Sequence, residues 1–253
     1  MVFLIFIYGL LIGSFLNVLI YRIPRDENIA WPGSHCTSCG HGLKWYDNIP
    51  LFSYLFLRGR CRYCGERISL QYPAVEAVNA IIYVLLYIFF YQVKLDFVFY
   101  ALISSALVAI TFIDLKDQLI PDSLVLSVLI LSILHKSLLH FYEGIPFPFV
   151  ESLLGLLVAG GIFLLIVYFS GGGMGGGDVT LIGALGFVLG LRRIFLVIFL
   201  SFLLGAIISV FLLATRLKTR KDPIPFGPFI VLGFFIALFL GDNLLDWYFN
   251  ILI

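Results

Sequence analysis

Long apolar runs, each closed off by a short cluster of polar or charged residues, recur along the whole chain. Eight can be delimited: 2–22, 73–93, 96–114, 122–141, 148–170, 178–191, 193–215 and 225–248. Most approach the ~20 residues that an α-helix needs to cross a hydrocarbon core. The sixth is short and reads as tilted, broken or partly inserted. The runs lack the strict two-residue alternation of a membrane barrel, and a helix satisfies its own backbone groups in lipid. The pattern predicts an all-α polytopic membrane protein with about eight transmembrane helices. One long polar break, 23–72, separates the first two. The expected organisation is a first transmembrane helix at 1–22, a polar insert at 23–72 and a transmembrane core at 73–253.

Composition agrees with this class: mean hydropathy is +1.07, 61% of residues are hydrophobic and 12% are charged. A net charge of +1 gives no field that would attract nucleic acid, so none is expected as a partner. The first run lacks a basic segment before it and a small-residue cleavage site after it, so it reads as a retained helix. Lysine and arginine distribute unevenly. Arg22, Arg25, Lys44, Arg58, Arg60, Arg62, Arg67, Lys116, Arg216, Lys218, Arg220 and Lys221 fall on one set of loops, 12 of the 16 basic residues. Lys94, Lys136, Arg192 and Arg193 fall on the other. The richer side is expected to be cytosolic, which places both termini outside and the ends of the helices carrying Asp114 and Asp178 at the cytosolic face.

The insert holds all four cysteines, in two pairs: Cys36-Thr37-Ser38-Cys39 and Cys61-Arg62-Tyr63-Cys64. C-x-x-C spacing lets one tight turn present two thiolates to a tetrahedral ion, so the expectation is a small zinc-binding insert. Gly40 and Gly65 follow the second cysteine of each pair, where a turn needs positive φ. Two disulfides or free thiols are the alternatives, and a cytosolic site argues against disulfides. A segment this small also needs a staple to fold. His35 and His41 flank the first pair and read as bystanders beside four thiolates.

Two aspartates stand at the edges of apolar runs, where an ionisable group is costly and marks a functional site. Asp114 ends the third run, a position that the helix macrodipole disfavours for an acid. Asp178 follows Gly171-Gly172-Gly173-Met174-Gly175-Gly176-Gly177, a run that permits close backbone approach by an extended substrate. Its blander reading is a helix N-cap. Two acids that meet can share one proton and activate water, the minimum equipment of an aspartyl protease. Gly175, Gly176 and Gly177 would then form the substrate-binding loop. Asp122, after Pro121, reads as an N-cap of the fourth helix. Glu76 faces either a polar cavity or the positive end of its own helix. Asn17 reads as an interhelical hydrogen bond among small residues.

Together these pieces resemble the type IV prepilin peptidases, bacterial members of the GxGD membrane aspartyl proteases. The resemblance runs through Gly13-Ser14-Phe15-Leu16-Asn17-Val18, Tyr21-Arg22-Ile23-Pro24, the Cys36/Cys39 pair, Asp47-Asn48-Ile49-Pro50 and Ser53-Tyr54-Leu55. It continues through Arg58-Gly59-Arg60-Cys61-Arg62-x-Cys64, Ile68-Ser69, Tyr72-Pro73-x-x-Glu76, Asp114-x7-Asp122, Gly175-Gly176-Gly177-Asp178 and Pro225-Phe226-Gly227-Pro228. It implies an enzyme that cleaves the basic leader of prepilins and pseudopilins after a glycine at the cytosolic face. Members carrying the cysteine insert then methylate the new N-terminus, usually phenylalanine, with S-adenosylmethionine. By motif position the catalytic pair would be Asp114 and Asp178, and the metal ligands Cys36, Cys39, Cys61 and Cys64. Implied too are the bacterial inner membrane, lipid around the spans, and pilus or type II secretion machinery as partners. The chain departs from the family at Thr180, where a lysine is common two residues after the GxGD aspartate.

No glycine-rich dinucleotide fingerprint follows a strand pattern, so a cofactor site is expected to be of another kind and is not located. Asp26, Glu27 and Asp47 are candidate contacts for a basic leader. Competing classes are a transporter using intramembrane acids, a zinc-bearing assembly scaffold, and an intramembrane protease for other substrates.

Overall fold

A computed structural model describes residues 1–171, 174–219 and 222–252. Gly172 and Gly173 of the glycine run, and Arg220 and Lys221 of the basic loops, lie outside the described residues. Nine α-helices are described: α1 (Val2–Arg22), α2 (Phe52–Phe56), α3 (Gln71–Phe90), α4 (Lys94–Asp117), α5 (Asp122–Glu143), α6 (Phe149–Phe169), α7 (Gly176–Leu189), α8 (Leu191–Ala214) and α9 (Gly227–Leu252). Among the described residues, extended pairing is confined to two isolated bridges, His35 with Gly42 and Arg60 with Arg67.

Seven of these helices are long and apolar enough to cross a membrane. The eighth apolar helix is α7, whose 14 residues reach only about 21 Å at ~1.5 Å per residue. That is short of a ~30 Å hydrocarbon core. One of its ends therefore stops within the hydrocarbon layer, where its terminal groups need partners from protein. From Leu181 to Leu189 every residue of α7 is buried.

The chain divides into two compact units, Met1–Ile113 and Asp114–Ile253. In the first, α1 packs along α3 through glycine. A Cβ on Gly9 would lie 2.6 Å from the Ala80 Cα, and one on Gly13 would lie 2.7 Å from the Glu76 Cα. Lipid is as apolar as any side chain, so such close approach, not hydrophobicity, holds the helices together. Polar groups finish the contact. Asn79 Nδ2 donates to the Gly9 carbonyl at 2.8 Å, and Ser105 on α4 donates to Asn79 Oδ1 at 3.1 Å. Asn17 donates to the Tyr72 carbonyl at 3.1 Å and to its own-helix Gly13 carbonyl at 3.4 Å.

In the second unit α7 packs chiefly on α6, and also against α5, α8 and α9. Gly155 of α6 and Gly186 of α7 meet backbone to backbone, leaving no room for a Cβ on either. At the far end of α7, Lys136 of α5 donates to the Phe187 carbonyl and to Ser152 Oγ, both at 2.6 Å. One of the carbonyls left over at a helix C-terminus thereby gains a charged donor.

Candidate functional site

The cysteine cluster is built by two copies of one turn. The Cys36 amide donates to the His41 carbonyl at 2.9 Å, and the Gly40 amide returns to the Cys36 carbonyl at 2.8 Å. The second knuckle repeats this with Cys61, Glu66 and Gly65, at 2.8 and 2.9 Å. Gly40 and Gly65 adopt φ of +71° and +74°, the left-handed conformation expected of glycine there. The four sulfur atoms lie within 4.8 Å of one another. Cys36 and Cys64 Sγ are 3.9 Å apart, close to the ~3.8 Å edge of a tetrahedron with metal–sulfur bonds of ~2.3 Å. All four cysteines are free thiols. The set fits a metal ion.

Electrostatics point the same way. The Cys39 backbone amide, with lesser help from Ser38 and neighbouring thiols, brings the Cys36 thiol down to about 6. At Cys64 the Glu66 amide favours the thiolate. Desolvation and hydrogen bonding with Cys61, Cys39 and Cys36 outweigh it and push the thiol up to about 12. Four packed thiols cannot all ionise unaided, whereas a dication removes that repulsion.

The insert has almost no apolar core: from residue 23 to 72 only Pro50, Gly59 and Cys61 are buried. Polar ties replace it. Arg22, at the end of α1, donates to the carbonyls of Asn28, Ile29, Pro32 and Gly33 and gathers that loop. Asp47 accepts from Arg62 Nε at 2.7 Å, from the Tyr63 hydroxyl at 3.2 Å and from the Lys44 amide at 3.2 Å. Desolvation opposes its charge, yet these donors hold its carboxyl below the usual carboxylate range. Asp47 is thus committed inside the insert and is a poor receptor for a basic leader; Asp26 and Glu27 remain exposed. Glu76 is neither a cavity acid nor a simple dipole partner. Its Oε2 accepts from the Leu51 amide at 2.8 Å and ties the insert to α3.

The two edge aspartates lie in the second unit. Asp114 sits in the last turn of α4, which ends where Gln118 turns left-handed at φ +52°. Its Oδ2 accepts from the Gly227 amide at 2.9 Å. Gly227 opens α9, and the first-turn amides of a helix have no partner within it. An acid misplaced for its own helix is therefore well placed for another. Asp178 is the third residue of α7, whose N-cap is Gly175. Asp178 is thus not the N-cap, although its Oδ2 accepts from the Gly175 amide at 3.2 Å. Its Oδ1 is buried without a hydrogen-bond partner among the described residues, a state that calls for explanation in any native site.

Ile120 joins the pieces. A Cβ on Gly177 would fall 2.8 Å from the Ile120 Cβ. One on Gly227 would fall 2.7 Å from Asp114 Oδ2 and 3.2 Å from Ile120 Cδ1. At Gly177 the close approach leaves no room for a side chain; at Gly227 a Cβ would have to push the Asp114 carboxylate aside. Gly176 and Gly177 belong to the first turn of α7 rather than to a loop, and Gly175 caps it. Thr180, at the position of the family lysine, donates to the Gly177 carbonyl at 3.0 Å and stays on its own helix. Asp122 does not cap α5. That position belongs to Pro121, with no side-chain cap bond, and Asp122 is exposed as the first residue of the helix.

Sequence reasoning named Gly227 and Arg22 only within family motifs and the charge count, gave neither a role, and gave Ile120 none. A signal existed for the first, since glycine followed by Pro228 opens an apolar run and so leaves free amides at a helix start. Gly227→Ala is expected to displace the Asp114 carboxyl. With Asp114 in a catalytic role, a shift approaching 1 Å would lower turnover by about 10²-fold, with little change in thermal unfolding. Steady-state cleavage and melting of the purified variant check this together.

Residues 7–90 match the bacterial peptidase A24 N-terminal domain, and residues 101–210 match the type IV leader peptidase family. Among similar curated proteins, the prepilin leader peptidase/N-methyltransferase of Aeromonas hydrophila is 36% identical, over 97% of this chain and 92% of its own. The protein of that name from Bacillus subtilis is 33% identical over 98% of both chains. That from Pseudomonas aeruginosa is 34% identical over 95% of this chain and 90% of its own. No solved structure matches the chain. With a helical membrane body, a four-cysteine insert after α1 and two acids sharing a glycine-lined helix junction, the chain belongs to the type IV leader peptidase family.

Proposed function

We propose that this protein is a prepilin leader peptidase and N-methyltransferase of the bacterial cytoplasmic membrane, with Asp114 and Asp178 as its catalytic pair. What supports the assignment is that the Asp114 end of α4 holds the first amide of α9, that Ile120 packs on both Gly227 and Gly177, beside Asp178, and that Asp178 Oδ1 is buried without a partner among the described residues. One carboxyl is ionised and the other protonated. The ionised one takes a proton from water, and the resulting hydroxide attacks the carbonyl of the glycine before the scissile bond. The protonated one donates its hydrogen bond to that oxygen as charge develops. Collapse of the tetrahedral intermediate breaks the C–N bond, and the proton held by the first carboxyl passes to the departing amine. The pair titrates as a unit, so the two roles belong to the dyad.

Gly175 and Gly176 leave the start of α7 open, which lets an extended substrate backbone come close to Asp178, while Gly177 makes room for Ile120. The substrate's apolar helix lies among the spans and its basic leader in the cytosol, on the side that carries most lysines and arginines. Cys36, Cys39, Cys61 and Cys64 would hold zinc, whose chemistry here would be structural: its two positive charges would offset half the charge of four thiolates, and the four bonds would close the insert. S-adenosylmethionine would supply a methyl group to the new N-terminal amine. No group of described residues distinguishes its site. By this reading 23–72 is a zinc module and 73–253 the peptidase core. Pilus or type II secretion machinery would receive the products.

The test is to incubate the purified protein with a prepilin-like substrate and S-adenosylmethionine and weigh the products. Loss of the leader together with one added methyl group is the expected result. Leader loss alone removes the transferase half of the proposal, and an intact substrate with zinc retained removes both halves.

A further inference from the structure

The short helix α2 carries a face that nothing in the insert covers. Phe52, Leu55 and Phe56 stand at i, i+3 and i+4, on one side of the helix, and are 57%, 69% and 83% exposed. Its other side is used. Tyr54 lies beneath Gly59, whose Cβ position is 2.8 Å from the Tyr54 hydroxyl, and that hydroxyl meets the Ile68 carbonyl at 3.5 Å. Exposed Arg58 and Arg60 follow directly.

The depth at which α2 begins is set by Glu76. That residue lies five positions into α3, about 8 Å along the axis at ~1.5 Å per residue, and its carboxyl holds the amide of Leu51, the residue that starts α2. The start of α2 is therefore tied beside the first turns of a membrane span. This matches the ~5–10 Å to which interfacial helices sink into the boundary between headgroups and acyl chains.

We propose that Phe52, Leu55 and Phe56 are bedded in the bilayer that α1 and α3 cross, with Arg58 and Arg60 on anionic phospholipid headgroups. The lipid-facing surface of the spans then continues without a break onto the insert, and the zinc module is held against the membrane rather than hanging from two linkers. Charge selects this occupant over the substrate. Phospholipid phosphate attracts the two arginines, whereas a basic leader is repelled by them. The inference does not depend on the catalytic pair.

The test is photocrosslinking in the full-length protein, reconstituted in vesicles of phosphatidylethanolamine and phosphatidylglycerol. Benzoylphenylalanine replaces Phe56, with Phe15 on α1 as the membrane-exposed control and Ser38 at the tip of the first knuckle as the aqueous one. The expected result is a protein-plus-one-phospholipid mass at position 56, in yield comparable with position 15 and well above position 38. A yield at 56 no higher than at 38, or adducts only with an added prepilin-like substrate or a second copy of the chain, would overturn the proposal. Either outcome with normal leader cleavage would leave the peptidase reading intact.

Discussion

Asp114→Asn and Asp178→Asn are each expected to lower leader cleavage by roughly 10²–10⁴-fold, the contribution of positioned acid–base groups. Both should leave the protein folded. Each carboxylate accepts a backbone amide through one oxygen, Asp114 from Gly227 and Asp178 from Gly175. Asparagine keeps an acceptor oxygen for that bond, so the starts of α9 and α7 retain their partners. What asparagine loses is the ability to hold and release a proton. Alanine is a poorer test, because Asp114→Ala would also strip the Gly227 amide of its acceptor, at a cost of about 1–3 kcal/mol. A structural role alone would make asparagine silent and alanine damaging. A catalytic role makes both inactive, with only alanine lowering the unfolding temperature. Measuring cleavage and thermal unfolding on all four variants separates the two, and appreciable turnover by either asparagine variant would sink the dyad.

The second large effect concerns the cysteines. Cys61→Ser is expected to abolish metal binding and unfold residues 23–72 while the spans persist. In zinc-finger peptides a structural zinc contributes an apparent ~10–16 kcal/mol. Little in the insert offsets such a loss, since only Pro50, Gly59 and Cys61 are buried there and the remaining ties are polar. The Asp47–Arg62 pair cannot substitute for the metal, because Arg62 is substantially exposed and such pairs contribute at most about 1 kcal/mol. Metal analysis should show about one zinc per wild-type chain and none in the variant, and proteolysis should cut the variant within 23–72 first. A metal-free variant whose insert still resists protease would show that the ties of Arg22, Asp47 and Glu76 hold the fold alone.

The spans were legible because hydrophobic run length is a local property. A stretch that must satisfy its backbone in lipid becomes a helix whatever it packs against. The shortness of the sixth run was visible too, and it emerges as the 14-residue α7. The cysteine knuckles were equally open to reading. C-x-x-C spacing and the following glycine describe one turn, and Gly40 and Gly65 take the left-handed φ that such a turn demands.

What escaped the sequence is where polar groups find partners. Asp114 is disfavoured at the end of α4 and answers α9 instead, across 113 residues of chain. Asp47 looked like a free surface acid until the second knuckle brought Arg62 and Tyr63 to it. Glu76 gained its meaning from Leu51, 25 residues upstream, and Lys136 from a carbonyl on α7. Pattern and spacing therefore determined which segments are helices, which residues can bind metal and which acids are costly enough to suspect. Motif position already paired Asp114 with Asp178; the tertiary structure alone decided the contacts around them, Asp114 on the Gly227 amide and Ile120 on Gly177 and Gly227. In lipid, helices associate through close backbone contact at a few small residues, and contacts such as Gly155 on Gly186 or Gly177 on Ile120 leave no periodic trace in the chain.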